Sequence, residues 1–238
     1  MSVWQGEVMS GVPLNHGSPV DGSSDPRPSA AGSPGGGRAS EVAAGVGPYP
    51  GPWPDDPRLD PDLLRHGDRR NVLDRFRYWT VDAIVADLDT RRHPFHVAIE
   101  NWQHDFNIGT VVRNANAFGA AGVHIVGPHR WDRRGAMSTH RYLHLHHHTD
   151  IDALSAWAAS AAVEMVAVDN VPDARPLESA TLPRDCVMVF GQEGPGLSSA
   201  AIAAASMVCE ITQYGSTRSL NAGVASGIAM YAWVAQHA

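Results

Sequence analysis

Three polar segments carry residue types that could act on an anionic substrate. The first is Asn107-Ile-Gly-Thr-Val-Val-Arg113-Asn-Ala-Asn-Ala-Phe-Gly119. Asn107 stands where an N-cap would open a helix. Arg113 falls one and a half turns in, beside an apolar stripe of Val111, Val112, Ala115 and Phe118. A guanidinium so placed needs an acid, a carbonyl or an anionic ligand, and a structural salt bridge is the plain alternative to the ligand. The second segment is Phe190-Gly191-Gln192-Glu193-Gly194-Pro195-Gly196-Leu197-Ser198. Its glycines expose backbone N–H and C=O groups to a ligand. It has neither the Lys nor the spacing of a phosphate-binding P-loop. The third runs from Ile211 through Gln213, Arg218, Ser219 and Leu220 to Asn221, then into an Ala- and Gly-rich stretch ending near Trp233. Close packing explains the small residues of that stretch. It does not explain Ser219 and Asn221 at its entrance.

These segments must be positioned by regular elements. Short β-branched runs recur at 96–100, 123–127, 163–169, 187–191 and 207–211. Helical patterns lie between or after them, at 109–119, 151–161, 198–205 and 221–236. Such alternation predicts an open, mostly parallel α/β sheet. Ligands of such sheets sit beyond the carboxyl ends of the strands, which is where the three segments fall.

The rest of the chain divides by composition. Residues 1–54 are rich in Gly, Pro and Ser without apolar periodicity, and read as a disordered tail. Residues 55–95 read as a helical arm bearing Arg65, Arg69, Arg70, Arg75 and Arg77. Residues 96–238 form the α/β domain. The chain carries a net charge of −7, with 18 Arg and no Lys, which excludes a uniformly basic nucleic-acid coat. Residues 65–149 hold 12 Arg against 8 acids, so one face can still meet a polyanion. Within that stretch Arg130, Trp131, Arg133, Arg134 and Arg141 follow the second strand and suit phosphate and base contacts. The run His144-Leu-His-His-His148 lacks the spacing of a dedicated metal site, and no metal is expected. Two cysteines, Cys186 and Cys209, suit a reducing compartment. With no secretory signal and no apolar run near the roughly 20 residues of a membrane helix, a cytoplasmic protein is expected.

Taken in order, NIGTVVRNANAFGAAGVHIVG, VFGQEGPGLS and ITQYGSTRSLNAGVASGIA resemble the SpoU-type (TrmH-like) RNA 2′-O-ribose methyltransferases of the SPOUT superfamily. The resemblance covers about residues 96–238. It departs at Thr212, where the family has Pro.

The resemblance implies a C-terminal trefoil knot, S-adenosylmethionine as cofactor, a homodimer, and tRNA or rRNA as substrate. It implies that Arg113, Asn107, Ser219 and Asn221 are catalytic. Phe190, Gly191, Glu193, Gly196, Ile211, Gln213, Ser219 and Leu220 would hold the cofactor. A guanidinium stays protonated, so Arg113 is expected to stabilise a developing alkoxide, or to act with the help of the RNA phosphate, rather than accept a proton itself. Arg69, Arg70, Arg75, Arg77, Arg130, Arg133, Arg134 and Arg141 are expected to bind the RNA. Two other readings fit the same residues: a non-catalytic RNA-binding protein of this fold, and a base methyltransferase.

Overall fold

The computed structural model describes residues 45–101, 107–128, 130–191 and 194–238 of the 238-residue chain. Residues 1–44 of the expected tail, and Glu193, lie outside the described residues.

The expected strands form one parallel sheet. β1 (His93–Glu100), β2 (Ala120–Val126), β4 (Glu164–Val168), β6 (Cys186–Phe190) and β7 (Met207–Glu210) match the apolar runs. Two strands were not expected: β3 (Leu145–His148), in the histidine run, and β5, the pair Arg175–Pro176. The strand order is β3-β2-β1-β6-β4-β7-β5.

Helices cover both faces. α3 (Ile108–Ala117) and α6 (Ala222–His237) lie on one side, where Ile108, Val111, Val112, Met230 and Trp233 pack with Phe95, Val97, Ile125 and Met188. α4 (Ile151–Ala161) and α5 (Ser199–Ala204) lie on the other, packed with Ala98, Val126, Ala167 and Val189. Alternate residues of each strand point to opposite faces, so continuous apolar runs are what a sheet covered on both sides requires.

The arm is shorter in helix than its pattern suggested. α1 (Pro61–His66), capped by Asp60, stops at Gly67, whose φ of 90° ends the helix. Residues 67–73 are irregular, and α2 (Val81–Asp89) starts at Thr80, whose hydroxyl accepts from Ala83 N. Phe76 and Ile84 bury themselves against Tyr142, so the arm packs on the loop that follows β2. The boundary expected at 95/96 falls inside β1, and the described residues from 45 to 238 belong to one compact unit. The stretch 45–54 was expected in the tail. Instead Val46 pairs with Asp68, and the Tyr78 hydroxyl donates to Gly47 O at 2.7 Å.

Candidate functional site

A cavity of about 580 Å³ opens at the carboxyl ends of β4, β6 and β7. Phe190, Gly191, Gly196, Ile211, Gln213, Ser219 and Leu220 all line it, together with Asn221. Two loops make its walls. In the first, residue 191 must be glycine. A Cβ there would stand 2.2 Å from Gly196 C and 2.4 Å from Leu197 N, so the loop folds backbone against backbone. In the second, Tyr214 is 92% exposed at the tip.

Two acids and one amide that the motifs did not include brace these walls. Asp169, directly after β4, accepts Leu197 N on Oδ2 at 2.7 Å and Asn170 N on Oδ1 at 2.7 Å. Asn170 Nδ2 donates to Arg218 O at 3.0 Å in the opposite loop. Glu100, buried at the end of β1, accepts Ser198 N at 2.7 Å. An acid closing an apolar strand run was the available signal in HVAIE and VEMVAVD.

The helix entrances meet at the same place. Asn221 Oδ1 accepts Gly223 N and Val224 N, capping α6. Its Nδ2 donates to Asn107 Oδ1 at 2.9 Å. Asn114 Nδ2, nearly two turns into α3, donates to Gly223 O and to Ser226 Oγ, which fixes the two helices side by side. Asn107 precedes α3 but makes no side-chain cap bond there, contrary to the N-cap expectation.

Arg113 does not line the cavity. It is exposed on α3, about 9 Å of helix rise beyond Asn107. Among the described residues its guanidinium has no ion-pair or hydrogen-bond partner.

The expected RNA contacts divide into two groups. Arg70 is committed internally: it bonds Asp68 through Nε at 2.9 Å and Nη2 at 2.7 Å, and reaches Trp79 O. Asp68 is fully buried, and the arginine and two backbone N–H groups hold its carboxyl below the usual range against the cost of burial. Arg77 donates to Arg70 O at 2.7 Å and faces Asp74. Arg69, Arg75, Arg130, Arg133, Arg134 and Arg141 are exposed. Arg134 also binds Asp132. The Arg133–Ala136 turn is pressed on α3, because a Cβ at Gly109 would stand 2.7 Å from Gly135 Cα.

The histidine run lies on the α4 side of the sheet. His124 Nε2 contacts His96 Nδ1 at 3.1 Å, and its Nδ1 contacts His148 Nε2 at 2.8 Å. His146 stacks on the same ring, and Trp157 closes over it. Burial, with neighbouring histidines, pushes His124 down to about 2 and His96 to about 4. Among the described residues no cluster of three His, Cys, Asp or Glu side chains could hold a metal.

A parallel α/β sheet with a loop-walled cavity at its carboxyl edge, where two helices begin, defines the general class of a small-molecule-binding α/β enzyme. The family follows from residues 94–231, which match the SpoU rRNA Methylase family. The chain belongs to that family. It is 25% identical over 156 residues to a tRNA (guanosine(18)-2′-O)-methyltransferase of Thermus thermophilus, covering 62% of this chain and 78% of the relative. Its identity to the Escherichia coli enzyme of the same name is 27%, covering 63% and 67%. Among solved structures it is similar to the A. aeolicus TrmH/SpoU tRNA modifying enzyme (TM-score 0.58, 19% identity, 66% and 81% covered). It is also similar to the SpoU methyltransferase AviRb from Streptomyces viridochromogenes in complex with AdoMet (TM-score 0.55, 26% identity, 63% and 60% covered).

Proposed function

We propose that this protein transfers a methyl group from S-adenosylmethionine to a ribose 2′-hydroxyl of tRNA or rRNA. The observation that carries the reading is the convergence of the second and third motifs on one cavity, with Asn107 of the first motif bonded to Asn221 at its edge. The cavity fits the cofactor. Its volume is within the range of small-molecule sites. The Oε1 of Gln213 is buried there without a hydrogen-bond partner among the described residues, an acceptor suited to a ligand amine.

The cofactor would supply an electrophilic methyl group. The chain's residues must then align the hydroxyl and stabilise charge on its oxygen as the proton leaves. Asn107, Ser219 and Asn221 position the reacting groups, and Arg113 stabilises the alkoxide as a permanent cation. Arg69, Arg75, Arg130, Arg133, Arg134 and Arg141 meet the RNA backbone.

The protein works as a homodimer in the cytoplasm, with its C-terminal segment threaded as a trefoil knot. The exposed α6 stripe of Val224, Ile228 and Tyr231 supports the dimer.

The test is transfer of labelled methyl from S-adenosylmethionine to pooled tRNA and rRNA, with nucleoside mass spectrometry. A 2′-O-methyl nucleoside made by the wild type and not by Arg113→Ala is expected. A base-methylated product, or a folded protein that binds RNA and no cofactor, would replace the reading.

A further inference from the structure

A second cavity, about 310 Å³, lies at the opposite end of the sheet, where β1 begins and α3 ends. Its walls are largely apolar, including Leu73, Leu88 and Phe118, and its rim carries Arg75, Arg91 and Arg92. Two of these cations are already neutralised, Arg91 by Asp87 and Arg92 by Asp89. Arg75 has no acidic partner among the described residues; its guanidinium lies over the Phe76 ring at 4.6 Å. Asn116 also lines the cavity, and its Oδ1 is buried without a hydrogen-bond partner among the described residues. A buried acceptor left open is costly unless something donates to it.

The position relates this cavity to the reaction. Asn116 and Ala117 stand three and four residues after Arg113 on α3, so they neighbour it on the helix surface. A strand of RNA that reaches Arg113 passes the mouth of the cavity within about one helical turn, roughly 5 Å.

Resting on the RNA reading above, we infer that this cavity receives one unpaired nucleotide of the substrate RNA, several nucleotides away from the target ribose. The base lies against Phe118 and the aliphatic walls. An amino or imino N–H on its edge donates to Asn116 Oδ1, and its phosphate meets Arg75. Apolar or aromatic surface for the base, a polar group for its edge and an arginine for the phosphate are what single-stranded RNA recognition requires. A duplex keeps its bases stacked and paired, and cannot fill the cavity. An acidic side chain of a partner protein would use Arg75 but would leave Asn116 Oδ1 unanswered.

The experiment compares binding of a mixed-sequence ten-nucleotide single-stranded RNA with binding of the same sequence as a duplex, using the full chain. Wild type is expected to prefer the single strand. Asn116→Leu is expected to lower single-strand affinity about tenfold and to leave duplex affinity unchanged; Arg75→Glu is expected to lower single-strand affinity about tenfold and duplex affinity by less. S-adenosylmethionine affinity of each variant, measured in parallel, reports that the fold is intact. Equal affinity of wild type for both RNAs, or a preference that survives both substitutions, overturns the inference. Failure of the methyltransferase reading shows separately, as a wild-type protein that binds no S-adenosylmethionine.

Discussion

Asn221 Nδ2 and Asn107 Oδ1 are 2.9 Å apart, a hydrogen bond between the entrances of two helices separated by 114 residues of chain. The same Asn221 uses its Oδ1 to cap α6, so one side chain both ends a loop of the cavity and orients a motif residue. Asn221→Ala is expected to cost about 1 kcal/mol of stability through the lost cap. Its loss of methyl transfer should be far larger, at least a hundredfold, because misplaced reacting groups are penalised steeply. Asn221→Asp keeps the cap acceptor but cannot donate to Asn107. It should retain the stability and lose the activity. Urea unfolding alongside methyl transfer separates the two, and an active Asn221→Asp would show that the bond to Asn107 is dispensable.

Asp169 ties the 194–198 loop to the end of β4, and Asn170 ties the 211–221 loop to the same point. Asp169→Ala releases Leu197 N and lets the first wall move. A roughly tenfold weaker affinity for S-adenosylmethionine is expected, equivalent to about 1.4 kcal/mol. Calorimetric titration of the cofactor measures it. Unchanged affinity would mean that the loop holds its shape without the brace.

The arm separates structural arginines from available ones. Arg70 is the partner of a fully buried carboxylate. Arg70→Ala leaves Asp68 charged and unpaired in the interior, and a loss of roughly 3–5 kcal/mol is expected. Arg69→Ala removes an exposed side chain and should change stability by less than about 0.5 kcal/mol. Chemical denaturation decides it. Equal, small effects would show that the Asp68–Arg70 pair contributes little.

That contrast shows where the sequence is legible. Both arginines belong to one Arg-Arg pair, and nothing in their spacing says which faces inward. The decision is made by Gly67, which ends α1 early and turns the chain so that Asp68 is buried against Arg70 and the Tyr78 backbone N–H. A helical pattern read straight across Gly67 misses this. The β-branched runs and α4 are legible because burial on two faces of a parallel sheet admits little else. The edge strand β3 is not, since its three histidines with flanking His144 read as a polar cluster. Its strand identity comes from pairing with β2, which is set by tertiary contact. The cavity-lining residues are legible through the motifs, while Asp169, Asn170 and Glu100 act only once their loops are brought together.

The same edge makes stability depend on pH. His124 sits between His96 and His148 at hydrogen-bond distance, and each contact needs one nitrogen with its proton and one without. Burial, then the neighbouring imidazoles, lowers His124 to about 2 and His96 to about 4, so both stay neutral in the fold at mild acidity. In the unfolded chain each titrates near its ordinary 6.5. The unfolded state therefore binds more protons below pH 6.5, and stability rises with pH up to that point and falls on acidification. Between pH 6.5 and pH 5 the loss from His124 alone should approach about 2 kcal/mol. Urea unfolding at pH 7 and pH 5 measures it, with His124→Asn as the comparison. The variant should start less stable at pH 7, since His96 and His148 lose their shared partner, and should lose less on acidification. A wild-type midpoint that does not move between the two pH values would mean that His124 takes up its proton within the folded sheet.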